Sequence, residues 1–201
     1  MELTLEQEDT LIELFNIGIG KAASTLNTMV QSHIQMSIPS IKIMSVHQLI
    51  HENHNLGNEM LSTVQMDFKG EFSGLAGLIF PTESALKLVD AITGQIPLDS
   101  EFDEMKIGTL TEVGNIVLNS IMGSISNVLK SHFTYSIPQY VENTMDKMFK
   151  LNASAEQIVL LVEAKFTIEK LKVDGNIYMI FEVGSFENLI QIINQLHKEP
   201  S

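Results

Sequence analysis

A glutamate and an asparagine stand three residues apart at two places in the chain, as Glu13 with Asn16 and as Glu112 with Asn115. Both pairs lie in long stretches of helical periodicity, and residues three apart on an α-helix project from the same face. A carboxylate can pair with a cation, and a carboxamide both donates and accepts hydrogen bonds, so it can orient a water molecule. The two pairs therefore predict two matched sites on stiff helical supports.

A simpler interpretation is that these side chains are ordinary solvent-facing residues of a helix. For an isolated Glu-x-x-Asn this is the usual role. Asparagine is a poor helix former, however, because its side chain competes for backbone hydrogen bonds. Its presence in the middle of two long helices favours a functional role for both copies.

The chain carries an internal duplication at an offset of 99 residues. Aligning residues 9–39 with residues 108–138 without a gap gives 10 identities over 31 positions. The identities include the Glu and the Asn of each pair and a Ser-Ile-Pro at the end of each segment. Chance likeness between amphipathic helices would match apolar positions, but not these polar ones. We therefore predict a single domain over residues 1–201, made of two pseudo-repeats at about 1–98 and 99–201.

The same order of elements is predicted in each repeat: a long helix, then strands, then a short helix. Apolar residues recur at helical spacing over about 11–30 and 105–129. Thr4 and Gln7 have the spacing of a capping box at the start of the first helix. Short turns such as that at Gly70 join the predicted strands, which favours antiparallel pairing. The expected fold is α/β of the α+β type: two long motif helices and short helices packed on an antiparallel sheet with pseudo-two-fold symmetry.

The composition excludes several classes of function. The net charge is −13, and all 12 basic residues are lysine, so there is little from which to build a nucleic-acid-binding face. The absence of cysteine excludes thiolate catalysis and cysteine-ligated zinc. The acidic N-terminus does not resemble a signal peptide, and no run of about 18 apolar residues could span a bilayer. We expect a cytoplasmic protein that binds neither nucleic acid nor the membrane interior.

Three histidines, His47, His51 and His54, have a spacing that would place them near one another on a helix. A metal site is one interpretation of this spacing. The surrounding stretch is rich in Asn and Gly, which predicts irregular structure rather than a helix. We therefore expect no metal bound by the protein itself.

In both copies, 22 residues separate the motif Asn from a proline. With this spacing the sequence resembles the CheC/CheX/FliY family of chemotaxis phosphatases, whose signature is Ser/Asp-x3-Glu-x2-Asn-x22-Pro. The first copy matches throughout, from Asp9 to Pro39, whereas the second has Gly108 at the first position and ends at Pro138. Two motifs in 201 residues are most similar to the CheC type within this family.

The resemblance implies a phosphatase that hydrolyses the aspartyl phosphate of a CheY-type response regulator and so terminates a chemotaxis signal. It implies that Asn16 and Asn115 hold the attacking water, while Glu13 and Glu112 pair with the regulator's active-site lysine. Asp9 is a candidate contact with this partner. No cofactor of its own is implied, because the Mg²⁺ ion is expected on the phosphorylated regulator.

Some expectations concern the rest of the motif and a rival function. Pro39 and Pro138 are expected to be structural, ending the helix and turning the chain into the sheet. The departure at Gly108 predicts that the first copy is at least as active as the second. The alternative function is a non-catalytic protein that sequesters phospho-CheY or regulates the deamidase CheD, a second candidate partner. Residues 141–155 show no counterpart in the first repeat.

Overall fold

The computed structural model describes residues 3–30, 33–52, 60–94, 101–144, 147–148, 157–168 and 171–196. The bounded helices and strands are, in chain order, α1 (Leu5–Val30), β1 (Ile34–Ser45), α2 (Val46–Glu52), β2 (Met60–Lys69), β3 (Gly74–Pro81), α3 (Thr82–Thr93), α4 (Glu101–Val128), β4 (Thr134–Tyr135), β5 (Gln139–Thr144), β6 (Ile158–Ile168), β7 (Leu171–Phe181) and α5 (Ser185–Leu196).

The first motif helix begins at the capping box that the sequence predicts. The backbone N–H of Thr4 donates to Oε1 of Gln7 at 3.0 Å, and the N–H of Gln7 donates to Oγ1 of Thr4 at 3.3 Å. These bonds satisfy backbone donors that a helix start leaves free. From there α1 continues for 26 residues and buries Leu11, Leu14 and Phe15. One face of α1 is thereby fixed to the core, which leaves the opposite face to solvent.

The strands form one seven-stranded sheet in the order β1-β6-β7-β3-β2-β4, with β5 also paired to β2. Every pair in this sheet is antiparallel. β2 and β3 form a hairpin, and so do β6 and β7. The predicted mixed fold, with helices on an antiparallel sheet, is confirmed.

The two halves of the sequence interleave at the edges of this sheet. β1 pairs with β6 of the second half, and β5 pairs with β2 of the first half. Residues 141–144, for which no counterpart was expected in the first repeat, occupy the edge opposite β1 and pair in the equivalent way: Thr144 pairs with Met60 as Ser45 pairs with Ile158. The predicted boundary near residue 98 lies outside the described residues, and the division into two repeats stays a prediction.

The motif prolines do not end the helices, so that part of the prediction was wrong. α1 has already ended and β1 has begun before Pro39, which lies at a register shift between Ser37 and Ser40. Pro138 lies between β4 and β5, which pair with consecutive parts of β2. Proline cannot donate to a strand ladder, and it is tolerated on edge strands and at bulges. Both prolines therefore belong to the two edges of the sheet.

The long helices α1 and α4 pack on each other and on the sheet, and glycines allow the closest approaches. A Cβ atom added at Gly18 of α1 would stand 2.5 Å from Cα of Ile121 in α4. A Cβ atom added at Gly114 of α4 would stand 2.5 Å from Cβ of Val64 in β2. Real side chains do not tolerate such distances, so Gly18 allows α1 to approach α4 closely, and Gly114 allows α4 to approach β2 closely.

The core lies on both faces of the sheet because successive strand residues point to opposite sides. Along β2, Val64 and Met66 join the cluster beneath the long helices, whereas Leu61 joins a second cluster. This second cluster includes Leu49 of α2 and Tyr178 of β7. The motif helices and α2 are consequently on opposite faces of the sheet.

Candidate functional site

The first predicted pair lies on the outer face of α1. The side chains of Glu13 and Asn16 are both exposed, and so are those of Asp9 and Ile17. The buried residues of the same helix are interspersed with these positions at helical spacing. The carboxylate, the carboxamide and the apolar Ile17 side chain are therefore presented to solvent on a helix that is held from beneath by the core.

The second pair lies on α4, and its amide has a different environment. Glu112 is exposed, whereas Asn115 is half-buried. Nδ2 of Asn119 donates to Oδ1 of Asn115 at 2.6 Å and to the backbone oxygen of Asn115 at 2.8 Å. Asn119 lies one helical turn after Asn115 and is itself exposed. The side chain of Asn115 is thus hydrogen-bonded to Asn119 on the same helix but remains partly accessible to solvent.

The first copy has no equivalent of this contact. Applying the offset of 99 places Gly20 where the second copy has Asn119. A Cβ atom at Gly20 would meet nothing within 4 Å, and no side-chain hydrogen bond joins Asn16 to another residue of the described part. The sequence comparison did not single out Asn119, although the Gly-to-Asn difference between the copies was the signal that could have done so.

The first position of the second motif is open. Gly108 is exposed, and a Cβ atom placed there would meet nothing within 4 Å. The serine or aspartate of the signature would therefore fit at this position without moving the backbone. The departure from the signature removes a polar group at the surface but causes no packing change.

The carboxylates of Glu13 and Glu112 form no ion pairs within the described part of the protein. Among the described residues, ion pairs join Lys42 to Glu163, Lys87 to Glu83 and Lys106 to Glu142. Neither Glu13 nor Glu112 forms an ion pair with another described residue. Both carboxylates are consequently available to a cation on a partner.

Lys106, the lysine nearest in sequence to Glu112, forms an ion pair with Glu142 and not with the motif glutamate. Lys106 is buried, and its Nζ atom lies 2.9 Å from Oε1 of Glu142 on β5. Burial lowers the pKa of Lys106, but the hydrogen bond to Glu142 and the nearby Tyr140 outweigh it, and the net pKa is raised. Lys106 therefore stays charged and ties α4 to the edge of the sheet.

Of His47, His51 and His54, only His47 has a side chain that the structure describes. Val46–Glu52 forms the helix α2, so the expectation of irregular structure was wrong for these residues. His47 is exposed on α2, and His54 lies outside the described residues. The described part of the chain contains no group of three His, Asp or Glu side chains placed to bind a metal ion.

Comparison with known proteins identifies the family. The family model described as "Chemotaxis phosphatase CheX" matches residues 62–163, just over half of the chain, and this range includes the whole second motif. The chain belongs to the CheC/CheX/FliY family of chemotaxis phosphatases. The present chain is 23% identical over 193 residues to the CheY-P phosphatase CheC of Bacillus subtilis, and the alignment covers 92% of each chain.

Two solved structures share the fold of this chain. The crystal structure of Thermotoga maritima FliY is similar with a TM-score of 0.77 at 21% identity, over 98% of this chain and 100% of that one. CheX in the CheX–CheY–BeF3–Mg²⁺ complex from Borrelia burgdorferi gives a TM-score of 0.55 at 20% identity, over 85% of this chain and 97% of that one.

No helix among the described residues combines the length and apolar character needed to cross a bilayer.

Proposed function

We propose that this protein accelerates hydrolysis of the aspartyl phosphate on a CheY-type response regulator in the cytoplasm. One observation carries the proposal: a carboxylate and a carboxamide are presented together on the outer face of each of two long, core-anchored helices. A rigid helix can insert such side chains into another protein's pocket with little loss of conformational entropy. The name of the B. subtilis relative, CheY-P phosphatase, supports this choice of substrate class.

The reaction requires little of the helper protein. A water oxygen attacks the phosphorus in line with the bond to the aspartyl oxygen. That phosphorus–oxygen bond breaks and the aspartate leaves as a carboxylate. One of the two water protons stays on the inorganic phosphate that forms, and the other is released to solvent. The regulator contributes the Mg²⁺ ion and a lysine that neutralise the developing charge. What remains to be supplied is the orientation of the water, and each tenfold gain in rate needs only about 1.4 kcal/mol.

Asn16 and Asn115 are suited to orienting this water. A carboxamide accepts through its oxygen and donates through its nitrogen, so it can hold a water molecule in a defined direction. It does not titrate near neutral pH, and its action needs no change in protonation. A hydrogen bond of this kind contributes about 1 kcal/mol by itself, and the larger part of the expected gain comes from the fixed position of the water that it holds.

Glu13 and Glu112 are proposed to set the register of the complex. Each stands one helical turn before its asparagine, is exposed, and has no ion-pair partner among the described residues. Pairing with the regulator's lysine would fix how far the asparagine enters the pocket. Asp9, exposed a further turn away on α1, is proposed as an outlying contact of the first site.

The alternative is a non-catalytic protein that sequesters phospho-CheY or regulates CheD. The presence of the carboxamide in both copies, exposed as Asn16 and half-buried as Asn115, favours catalysis, because a binding protein has no need for a group that orients water. The two functions are separated by following inorganic phosphate release from a purified, Mg²⁺-bound phosphorylated regulator. Catalysis predicts faster release at substoichiometric protein, whereas sequestration predicts unchanged or slower release that depends on stoichiometric protein.

Removing the motif charges tests the role of the glutamates. For Glu13→Gln combined with Glu112→Gln, we expect the KM for the phosphorylated regulator to rise about threefold to tenfold, because an ion pair across the interface is lost. We expect kcat to change less than about twofold, since the amides that orient water remain. Steady-state phosphate release over a range of regulator concentrations measures both constants.

The control for this test removes the same charge from other places on the same helices. Glu8 on α1 and Glu104 on α4 are both exposed, so Glu8→Gln with Glu104→Gln alters the net charge equally. An equal rise in KM for the control pair would mean that only long-range electrostatics had changed. A loss of kcat without a change in KM would contradict the proposed role.

A further inference from the structure

The two sites differ in how their amides are held. Nδ2 of Asn119 donates to both the side-chain oxygen and the backbone oxygen of Asn115, at 2.6 Å and 2.8 Å. A donor shared between these two acceptors restricts both side-chain torsions of Asn115 and defines which end of its amide is the oxygen. In the first copy the position of Asn119 is taken by Gly20, which has no side chain.

This contact leaves Asn115 able to act on water. Its Oδ1 atom has a second lone pair, and its Nδ2 group has two donors that the contact with Asn119 does not use. Asn115 is half-buried and Asn119 is exposed, so the pair lies at the surface where a partner would dock. An amide held in one orientation before the partner arrives loses less conformational entropy when it binds water in the complex.

We infer that Asn119 is a positioning residue of the second site, which holds the amide of Asn115 in its working orientation and raises turnover there. The inference rests on the proposed function and adds a residue that the family signature does not contain. It concerns turnover at the second site alone.

The test isolates the second site by placing Asn119→Ala in an Asn16→Ala background. We expect kcat for phosphate release to fall about threefold to tenfold with an unchanged KM, because the amide becomes mobile while the contact surface is kept. Alanine is a better helix former than asparagine, and position 119 is exposed, so the variant should fold. Asn119→Asp keeps the shape but removes the donor, and it should lose turnover as well.

Asn127→Ala serves as the matched control in the same background. Asn127 is an exposed asparagine of the same helix, twelve residues from the motif amide, and its removal should leave kcat unchanged. A rise in KM at constant kcat for Asn119→Ala would overturn the inference, since it would make Asn119 a contact with the partner. Unchanged constants would overturn it too.

A second measurement does not depend on phosphatase activity. In the free protein, NMR relaxation of the Asn115 side-chain NH2 group should report a restricted amide that becomes mobile on the nanosecond timescale in Asn119→Ala. An equally rigid amide in both proteins would contradict the inference even if catalysis were established. Conversely, the Asn115 amide could become mobile in Asn119→Ala although the protein never stimulates phosphate release. That result would support the contact between Asn119 and Asn115 and would refute only the proposed function.

Discussion

Replacing both motif amides, as Asn16→Ala with Asn115→Ala, is expected to lower stimulated phosphate release about 100-fold. This size follows from the loss of orientation of the attacking water, since small misplacements of a reacting group cost rates of that order. Binding of the regulator should partly survive, because Glu13 and Glu112 remain exposed on their helices. Phosphate release and binding of a beryllofluoride-activated regulator, measured on the same preparations, separate the two effects.

The control for this double variant is Gln191→Ala with Gln195→Ala. Both glutamines are exposed on α5, so the same type of group is removed twice from a helix that carries no motif. Undiminished phosphate release in the double asparagine variant would remove the mechanism. The single variants then rank the sites, and the departure at Gly108 predicts that the first copy is at least as active as the second.

The largest expected effect on stability comes from Gly18→Ala. The added Cβ would lie 2.5 Å from the Cα of Ile121, and backbone cannot move aside as the end of a flexible side chain can. We expect the free energy of unfolding to fall by about 1–3 kcal/mol, because α1 and α4 must separate. Because α1 carries Glu13 and Asn16, turnover at the first site should fall as well. Chemical denaturation measures the change in stability.

Gly20→Ala is the matched control, two residues further along the same helix. A Cβ at Gly20 would meet nothing within 4 Å, so alanine should stabilise the helix by about 0.5–1 kcal/mol through its better helix propensity. The two substitutions are chemically identical, and only the surroundings differ. A Gly18→Ala variant as stable as Gly20→Ala would show that the helices are not seated as closely as described.

Local signals in the sequence predicted the parts of the fold that depend on neighbouring residues. The capping box of Thr4 and Gln7 forms as expected, and the turn at Gly70 follows β2 in a hairpin. Helical periodicity placed both motif pairs on α1 and α4, and burial of the intervening apolar residues leaves Glu13 and Asn16 exposed. These features follow from spacing along one element, which a sequence shows directly.

Features that depend on distant residues were not predictable in the same way. The pairing of β1 with β6 joins opposite halves of the sequence, and nothing local specifies that partner. Pro39 was expected at a helix end, yet it lies in an edge strand, because proline is compatible with both places. The contact of Asn119 with Asn115 depends on side-chain torsions that spacing alone does not determine.

The most direct test of the central claim is whether the two amides enter the metal-containing pocket of the regulator. Mn²⁺ can replace Mg²⁺ at an oxygen-ligand site, and it broadens the NMR signals of nearby protons. In a complex with a Mn²⁺-bound, beryllofluoride-activated regulator, the side-chain NH2 signals of Asn16 and Asn115 should broaden strongly, while that of Gln48 on α2 stays sharp. Sharp signals from both asparagines, with broadening on another surface, would contradict the account.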